Sequence, residues 1–185
     1  MGIVGDSLER AGQAHSTRPI PKSAGAQMRY LVKQHKGSTK QVAALLGVSQ
    51  RTVERYVKDQ IKHPKPALAD RMAAEVRRRW QPLVRKRARA QAATQTGLTV
   101  ETRARFGFTA APGSTDDGRM RRITQHLPPE LAGRLLAAHD AGATEADLQR
   151  LAAEGLQEAY FQDGGRRAQG LLVEFTDIDY IDIAY

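Results

Sequence analysis

Cysteine is missing from the chain. Its absence removes disulfides and thiolate metal sites and suits a reducing interior, so the expected setting is the cytoplasm. The five histidines are scattered, with no pair at ligand spacing on one helix face, and no metal site is expected. Nowhere do the roughly 18 apolar residues of a membrane-spanning helix run together, so no membrane partner is expected. The segment "MGIVGDSLER" has no apolar core, and Asp6 stands where an N-myristoylation pattern requires Ser or Thr. No targeting segment is expected there. Acidic residues are scarce over a long stretch: Arg18 to Arg122 holds 24 Lys and Arg against 7 Asp and Glu.

What is present is positive charge, unevenly placed. The 185 residues suffice for one domain or two small ones and carry a net charge of +9. Arg18 to Arg122 has a net of +17, whereas Ile123 to Tyr185 has 4 basic and 11 acidic residues, a net of −7. The first region is suited to neutralising phosphates, and the second is repelled by them and suited to meeting protein.

The basic region carries a motif. "TRPIPKSAG" (17–25) reads as an extended arm, and "AQMRYLVKQHK" follows at near-helical spacing. In "TKQVAALLGVSQRTVERYVKDQI" (39–61), Thr39 can cap a short helix whose inner face is Val42, Ala43 and Leu46. Gly47 permits a tight turn. Ser49 caps a second helix with Val53, Tyr56 and Val57 on its inner face. Small Ala43, Gly47 in the turn and Val53 across it meet the requirements of a helix-turn-helix. The second helix would then read DNA, with Gln50 and Arg51 at its N-terminal end and Thr52, Glu54, Arg55 and Lys58 also outward. Arginine can read guanine and glutamine adenine; Arg55 and Lys58 are better placed for phosphates. After Pro64 and Pro66 a long helix is expected over 67–93, kinked at Pro82. Its apolar stripe is Leu68, Met72, Val76, Trp80 and Val84, and its basic face is Arg77, Arg78, Arg79, Arg85, Lys86, Arg87 and Arg89. That density of charge favours contacts to a nucleic-acid backbone.

Beyond it, "LTVETRARFGFT" (98–109) and "MRRITQHL" (120–127) read as strands. Between them lies "APGSTDDGRMRR" (111–122), which places Ser114 and Thr115 near the tip of a hairpin. Ser, Thr and Asp are also ordinary turn residues. Pro128 and Pro129 start a helix bearing Leu131, Leu135 and Leu136, and Gly142 stops it. Thr144 and Asp147 open another helix, and "LLVEFTDIDYIDIAY" gives one or two strands. The run from "RITQHLP" through helix, Gly turn and helix is also similar to a ribbon-helix-helix module, which dimerises through its strand; Gln125 departs from its apolar pattern, and the idea bears on self-association. The fold class predicted is α+β, mainly α. A flexible tail over 1–17 leads into a basic helical domain over 18–95, and an α+β region with a hairpin loop at 109–118 fills 96–185.

Several strings are long and uncommon: "PKSAGAQMRYLVKQ" (21–34), "SQRTVERYVKDQI" (49–61), "RRRWQP" (77–82), "TRARFGFTA" (102–110), "TDD" (115–117) and "EGLQEAYFQDGGRR" (154–167). Through them, nearly end to end, the chain resembles the Tpg family, the telomere terminal proteins of linear Streptomyces chromosomes and plasmids. The resemblance implies a protein that caps 5′ DNA ends covalently and whose hydroxyl primes synthesis that fills the recessed end. The family's priming threonine, just before paired aspartates, matches Thr115; Ser114, where a further threonine is expected, is the alternative. The implied partners are telomeric DNA with a 3′ overhang, the telomere-associated protein Tap and a DNA polymerase, which supplies Mg2+ and the dNTP. No cofactor of the chain's own is expected, nor is turnover as an enzyme.

The chemistry is coherent on its own terms. An alcohol that enters a polymerase site as a 3′-OH does can attack the α-phosphorus of a dNTP, activated by the polymerase's metal ions. Asp116 and Asp117 are candidates to orient the hydroxyl or approach a metal, and Arg119 and Arg121 to hold the triphosphate or template. Two other readings compete: a helix-turn-helix transcription regulator with a dimerising C-terminal region, and a nicking or joining enzyme using Tyr160 or Tyr180, which lacks a histidine cluster for its metal.

Overall fold

The computed structural model describes residues 2–110, 113–116 and 119–185. It is mixed α+β and mainly helical, and it divides into two compact units: 16–82, and a second assembled from 1–15 and 83–185. No helix among the described residues is long and apolar enough to cross a membrane.

The unit over 16–82 is all helical: α2 (Ala24–Gln34), α3 (Thr39–Leu46), α4 (Gln50–Val57) and α5 (Pro66–Arg79). Ser23, Ser38 and Ser49 cap α2, α3 and α4 by accepting the backbone N–H of Ala26, Gln41 and Thr52. The cap of α3 is therefore Ser38, one residue before the expected Thr39. Gly47 ends α3 at φ 63°, a left-handed conformation that a Cβ would strain. Its N–H donates to the Ala44 carbonyl and that of Val48 to the Ala43 carbonyl, the paired bonds of a Schellman ending. Met28, Leu31, Val42, Leu46, Val53, Met72 and Val76 are all removed from solvent, closing one core under the helix-turn-helix. Trp80 packs edge-on against Tyr30, ring centroids 4.9 Å apart, and donates its indole N–H to the Arg18 carbonyl, which ties down the proline-rich arm.

The long basic helix is two helices. After α5 the chain leaves helical geometry at Trp80 (ψ 116°) and Gln81 (φ 44°), and α6 (Pro82–Gln91) begins afresh before a π-helical turn over Ala92–Thr96. Proline disfavours helical backbone in the residue before it and cannot donate into the preceding turn, so the expected kink is a complete break. The two basic segments belong to different units.

In the other unit, β1 (Leu98–Ala110) is the central strand of an antiparallel sheet. One edge pairs with β4 (Leu172–Ala184) from Thr99 to Thr109. The opposite edge pairs first with β3 (Arg121–Leu127), then with the short β2 (Gly113–Asp116). Leu98, Val100, Ala104 and Phe106 alternate inward along β1, joined by Ile123, Leu127, Ile181 and Ile183. Helices α7 (Pro129–Asp140) and α8 (Glu145–Leu156) contribute Leu135, Leu148, Ala152 and Leu156 to that core. Gly155 lets α8 approach β3 closely, since a Cβ there would lie 2.7 Å from Leu127 Cδ1. The strand that resembled a ribbon-helix-helix ribbon is paired within the chain from Arg121 to Leu127.

Residues 1–17 are not a flexible tail. Ile3–Ala14 form α1, and Val4 and Leu8 are fully buried in the sheet unit's core. Glu145 of α8 accepts the otherwise orphaned N–H groups of Val4 (2.8 Å) and Gly5 (3.2 Å), capping α1 from a distant part of the chain. Ser7, also buried, accepts the Ile183 N–H at 2.8 Å. Leu8→Ala is expected to lower stability by about 2–5 kcal/mol, measured by urea unfolding, because it opens a cavity beneath α1. A tail would lose nothing.

Candidate functional site

Two features carry chemistry, one in each unit. The helical unit holds 15 Lys and Arg against 4 Asp and Glu, a net of +11, while the sheet unit is near neutral at −2. Within the helical unit, α4 buries Val53 and Tyr56 and exposes Gln50, Arg51, Arg55 and Lys58. The side chains of Arg51, Arg55 and Lys58 have no hydrogen bond or ion pair among the described residues. Thr52 is half-buried, with its hydroxyl 2.9 Å from that of Ser49, so it helps build the cap rather than standing outward as expected. Gln50 is held by Thr39 and Glu54, at 3.0 Å from each.

The expected basic face divides by environment. Arg77 at the end of α5 and Lys86 and Arg87 on α6 are exposed. Arg78 and Arg79 both pair with Glu75 one turn back, Arg78 at 2.8 Å. Arg85 and Arg89 keep only 15% of their side-chain surface and turn toward protein carboxylates. Arg85 lies 3.4 Å from Glu9 of α1, and Arg89 reaches Asp140 of α7, Glu9 at 3.7 Å and the Tyr185 hydroxyl at 3.3 Å. The expectation that these two contact phosphates is corrected: their charge holds α1, α6 and α7 together. Glu9 lies 76 residues before Arg85, so local spacing could not reveal the pair.

The second feature is the hairpin of β1 and β2. Its register sets Thr109 opposite Ser114, Phe108 opposite Thr115 and Gly107 opposite Asp116. The hydroxyl pair was expected in a turn at the tip; its backbone is instead a strand that fills the β1 edge beyond the end of β3 at Ala104. A β-branched residue at 115 is at home in such a ladder. Asp117, along with Ala111, Pro112 and Gly118, lies outside the described residues. Phe108 packs edge-on against Phe161 (5.3 Å between centroids), and the Arg121 guanidinium lies 6.0 Å from the same ring. Arg119 is exposed.

Arg122, the last arginine of the stretch, is spoken for: it pairs with Glu101 at 2.6 Å on the solvent-facing side of the sheet. Tyr180 donates to the same carboxylate at 2.8 Å. The Arg122 bond first, and the Tyr180 bond second, hold the Glu101 carboxyl below its ordinary range. The bond to Glu101 raises the Tyr180 phenol above its ordinary range. Tyr160 packs edge-on against Phe161.

Compared with family models, with curated proteins and with solved structures, the chain has no match.

Three outcomes are expected. Arg87→Ala should reduce the slope of log affinity against log salt for duplex DNA by about 1 and leave stability within about 0.5 kcal/mol. Arg89→Ala should do the reverse, costing about 1–3 kcal/mol in chemical unfolding because Asp140 loses its arginine and Glu9 one of its two, with the salt slope unchanged. For Glu101, the depressed pKa means that its ion pair stabilises the fold above the ordinary carboxyl range and is lost as pH falls through the depressed value. An NMR titration should place its midpoint below that of an unpaired glutamate, and Arg122→Ala should move it upward.

Proposed function

We propose that this chain is a DNA terminal protein: it binds DNA through the helix-turn-helix unit and offers a side-chain hydroxyl of β2 to a DNA polymerase as the primer for filling a recessed 5′ end. The observation that carries the reading is the hydroxyl pair Ser114–Thr115, followed by an acid pair, on a short strand of a hairpin in a chain whose other unit is strongly basic. The resemblance to telomere terminal proteins supports it. The hydroxyls lie on an edge strand at one end of the sheet, and an edge strand can be offered to a polymerase cleft as a packed helix face cannot.

The reaction is a phosphoryl transfer. Thr115 Oγ forms a bond to the α-phosphorus of a dNTP, the bond to the bridging oxygen breaks, and pyrophosphate leaves; the hydroxyl proton passes to a base or water in the polymerase site. The polymerase's metal ions lower the hydroxyl pKa and stabilise the in-line transition state. This chain supplies the nucleophile and its position, a contribution of geometry rather than turnover. Asp116 and Asp117 would orient the hydroxyl, and Arg119 and Arg121 would hold the triphosphate or template. The partners are telomeric DNA, a telomere-associated protein that recruits this chain to the 3′ overhang, and a cellular polymerase, all in the cytoplasm at replicon ends. Self-association is compatible with this role.

Exposed Arg51, Arg55 and Lys58 on α4 would serve a transcription regulator equally well. Labelled dNTP separates the two. With polymerase and template, the terminal protein acquires label that alkali releases by β-elimination, whereas a regulator acquires none and a tyrosine linkage survives alkali. Thr115→Val, which keeps the β-branched shape and removes the hydroxyl, is expected to abolish labelling while Ser114→Ala retains it. Label retained by Thr115→Val and lost by Ser114→Ala would move the linkage to Ser114.

A further inference from the structure

Glu54 is out of place on α4. It is the only acidic residue of that helix and one of four in the helical unit, and a carboxylate beside DNA phosphates weakens binding unless it does something else. Its oxygen Oε1 lies 3.0 Å from the side-chain amide of Gln50, one helical turn earlier. A carboxylate has no proton to give, so the amide atom facing it must be the nitrogen. The second hydrogen of that nitrogen goes to Thr39 Oγ1 of α3, also at 3.0 Å. Both donors of the Gln50 amide are thus committed within the helix-turn-helix. Only the amide oxygen is left, and it has no partner among the described residues. Gln50 is exposed on the first turn of α4, the end of a recognition helix that meets base edges.

We propose that Thr39 and Glu54 are positioning residues that turn Gln50 into a pure hydrogen-bond acceptor, so that it selects a base displaying an exocyclic amine in the major groove. Adenine N6 and cytosine N4 qualify. Guanine and thymine present O6 and O4, acceptors that repel the amide oxygen at the same place. An unconstrained glutamine would instead take adenine alone, donating to N7 while accepting from N6. The restraint broadens the choice from one base to two, and it explains an acid in a basic surface. The inference rests on the proposed DNA binding by α4.

The test is selection of bound sequences by the full-length chain from a random-sequence duplex library, repeated with three variants. Gln50→Ala identifies the base-pair position that Gln50 reads, as the one whose preference collapses. In the unaltered chain that position should favour adenine and cytosine over guanine and thymine by about tenfold, with little difference between the first two. Glu54→Ala, which frees one donor, should narrow the preference to adenine by about tenfold over cytosine. Thr39→Val frees the other donor, should shift the preference in the same direction, and serves if Glu54→Ala does not fold. A preference for guanine or thymine, no position that depends on Gln50, or an adenine-and-cytosine preference that survives both substitutions would overturn the inference while leaving DNA binding intact. No enrichment of any duplex would remove DNA binding and this inference together.

Discussion

The sheet unit depends on β1 being paired along both edges. A 13-residue strand flanked on one side by β4 and on the other by β3 and β2 has no unpaired backbone over most of its length, and its alternating side chains fix which face takes the helices. Arg122, Glu101 and Tyr180 meet on the outer face because that register puts them there, and Leu98, Val100 and Phe106 meet α7 and α8 on the inner face for the same reason. The position of Thr115 follows as well. Past Ala104, where the pairing with β3 ends, that edge of β1 is taken from Gly107 to Ala110 by the stretch carrying the hydroxyls.

Charge follows this division of labour. The helical unit, at +11, carries more than the whole net charge of +9, and its arginines and lysine on α4 are without carboxylate partners among the described residues. In the sheet unit, arginines are largely absorbed by nearby acids: Arg85 and Arg89 by Glu9 and Asp140, Arg103 by Asp179, Arg134 and Arg150 by Glu154. Exposed pairs such as Arg103 with Asp179 contribute little to stability, whereas Arg85 and Arg89 are largely buried against their partners and tie helices together.

Much of this was legible in the residues. The helix-turn-helix announced itself through Gly47, Ser49 and the spacing of Val42, Leu46 and Val53, all local signals. The strands at 98–110 and 121–127 showed in β-branched alternation, and the start of α8 in Thr144 and Asp147, whose cap bonds form as expected. The misses have a common cause, which is that long-range partners leave no local trace. Val4, Leu8 and Ala11 are spaced for a helix face, but too few apolar residues accompany them to mark α1 without Glu145 and the sheet beneath it. The run from Ala67 to Ala93 has helical propensity throughout, and only Pro82 betrays the break. The strand geometry at Ser114 and Thr115 was hidden behind glycine and proline, which signal turns more strongly than a four-residue ladder signals itself.

The interrupted course of the sheet unit has its own consequence. Glu9 on α1 and Arg85 on α6 are in contact, so the chain leaves the sheet unit and returns to it at neighbouring places that a short loop could join. In place of that loop stands the helical unit, and its entry and exit are fastened together by Thr17 and Gln81, whose backbone and side-chain groups bond at 2.8 and 3.1 Å. A module with adjoining ends can be exchanged for another without re-threading its host.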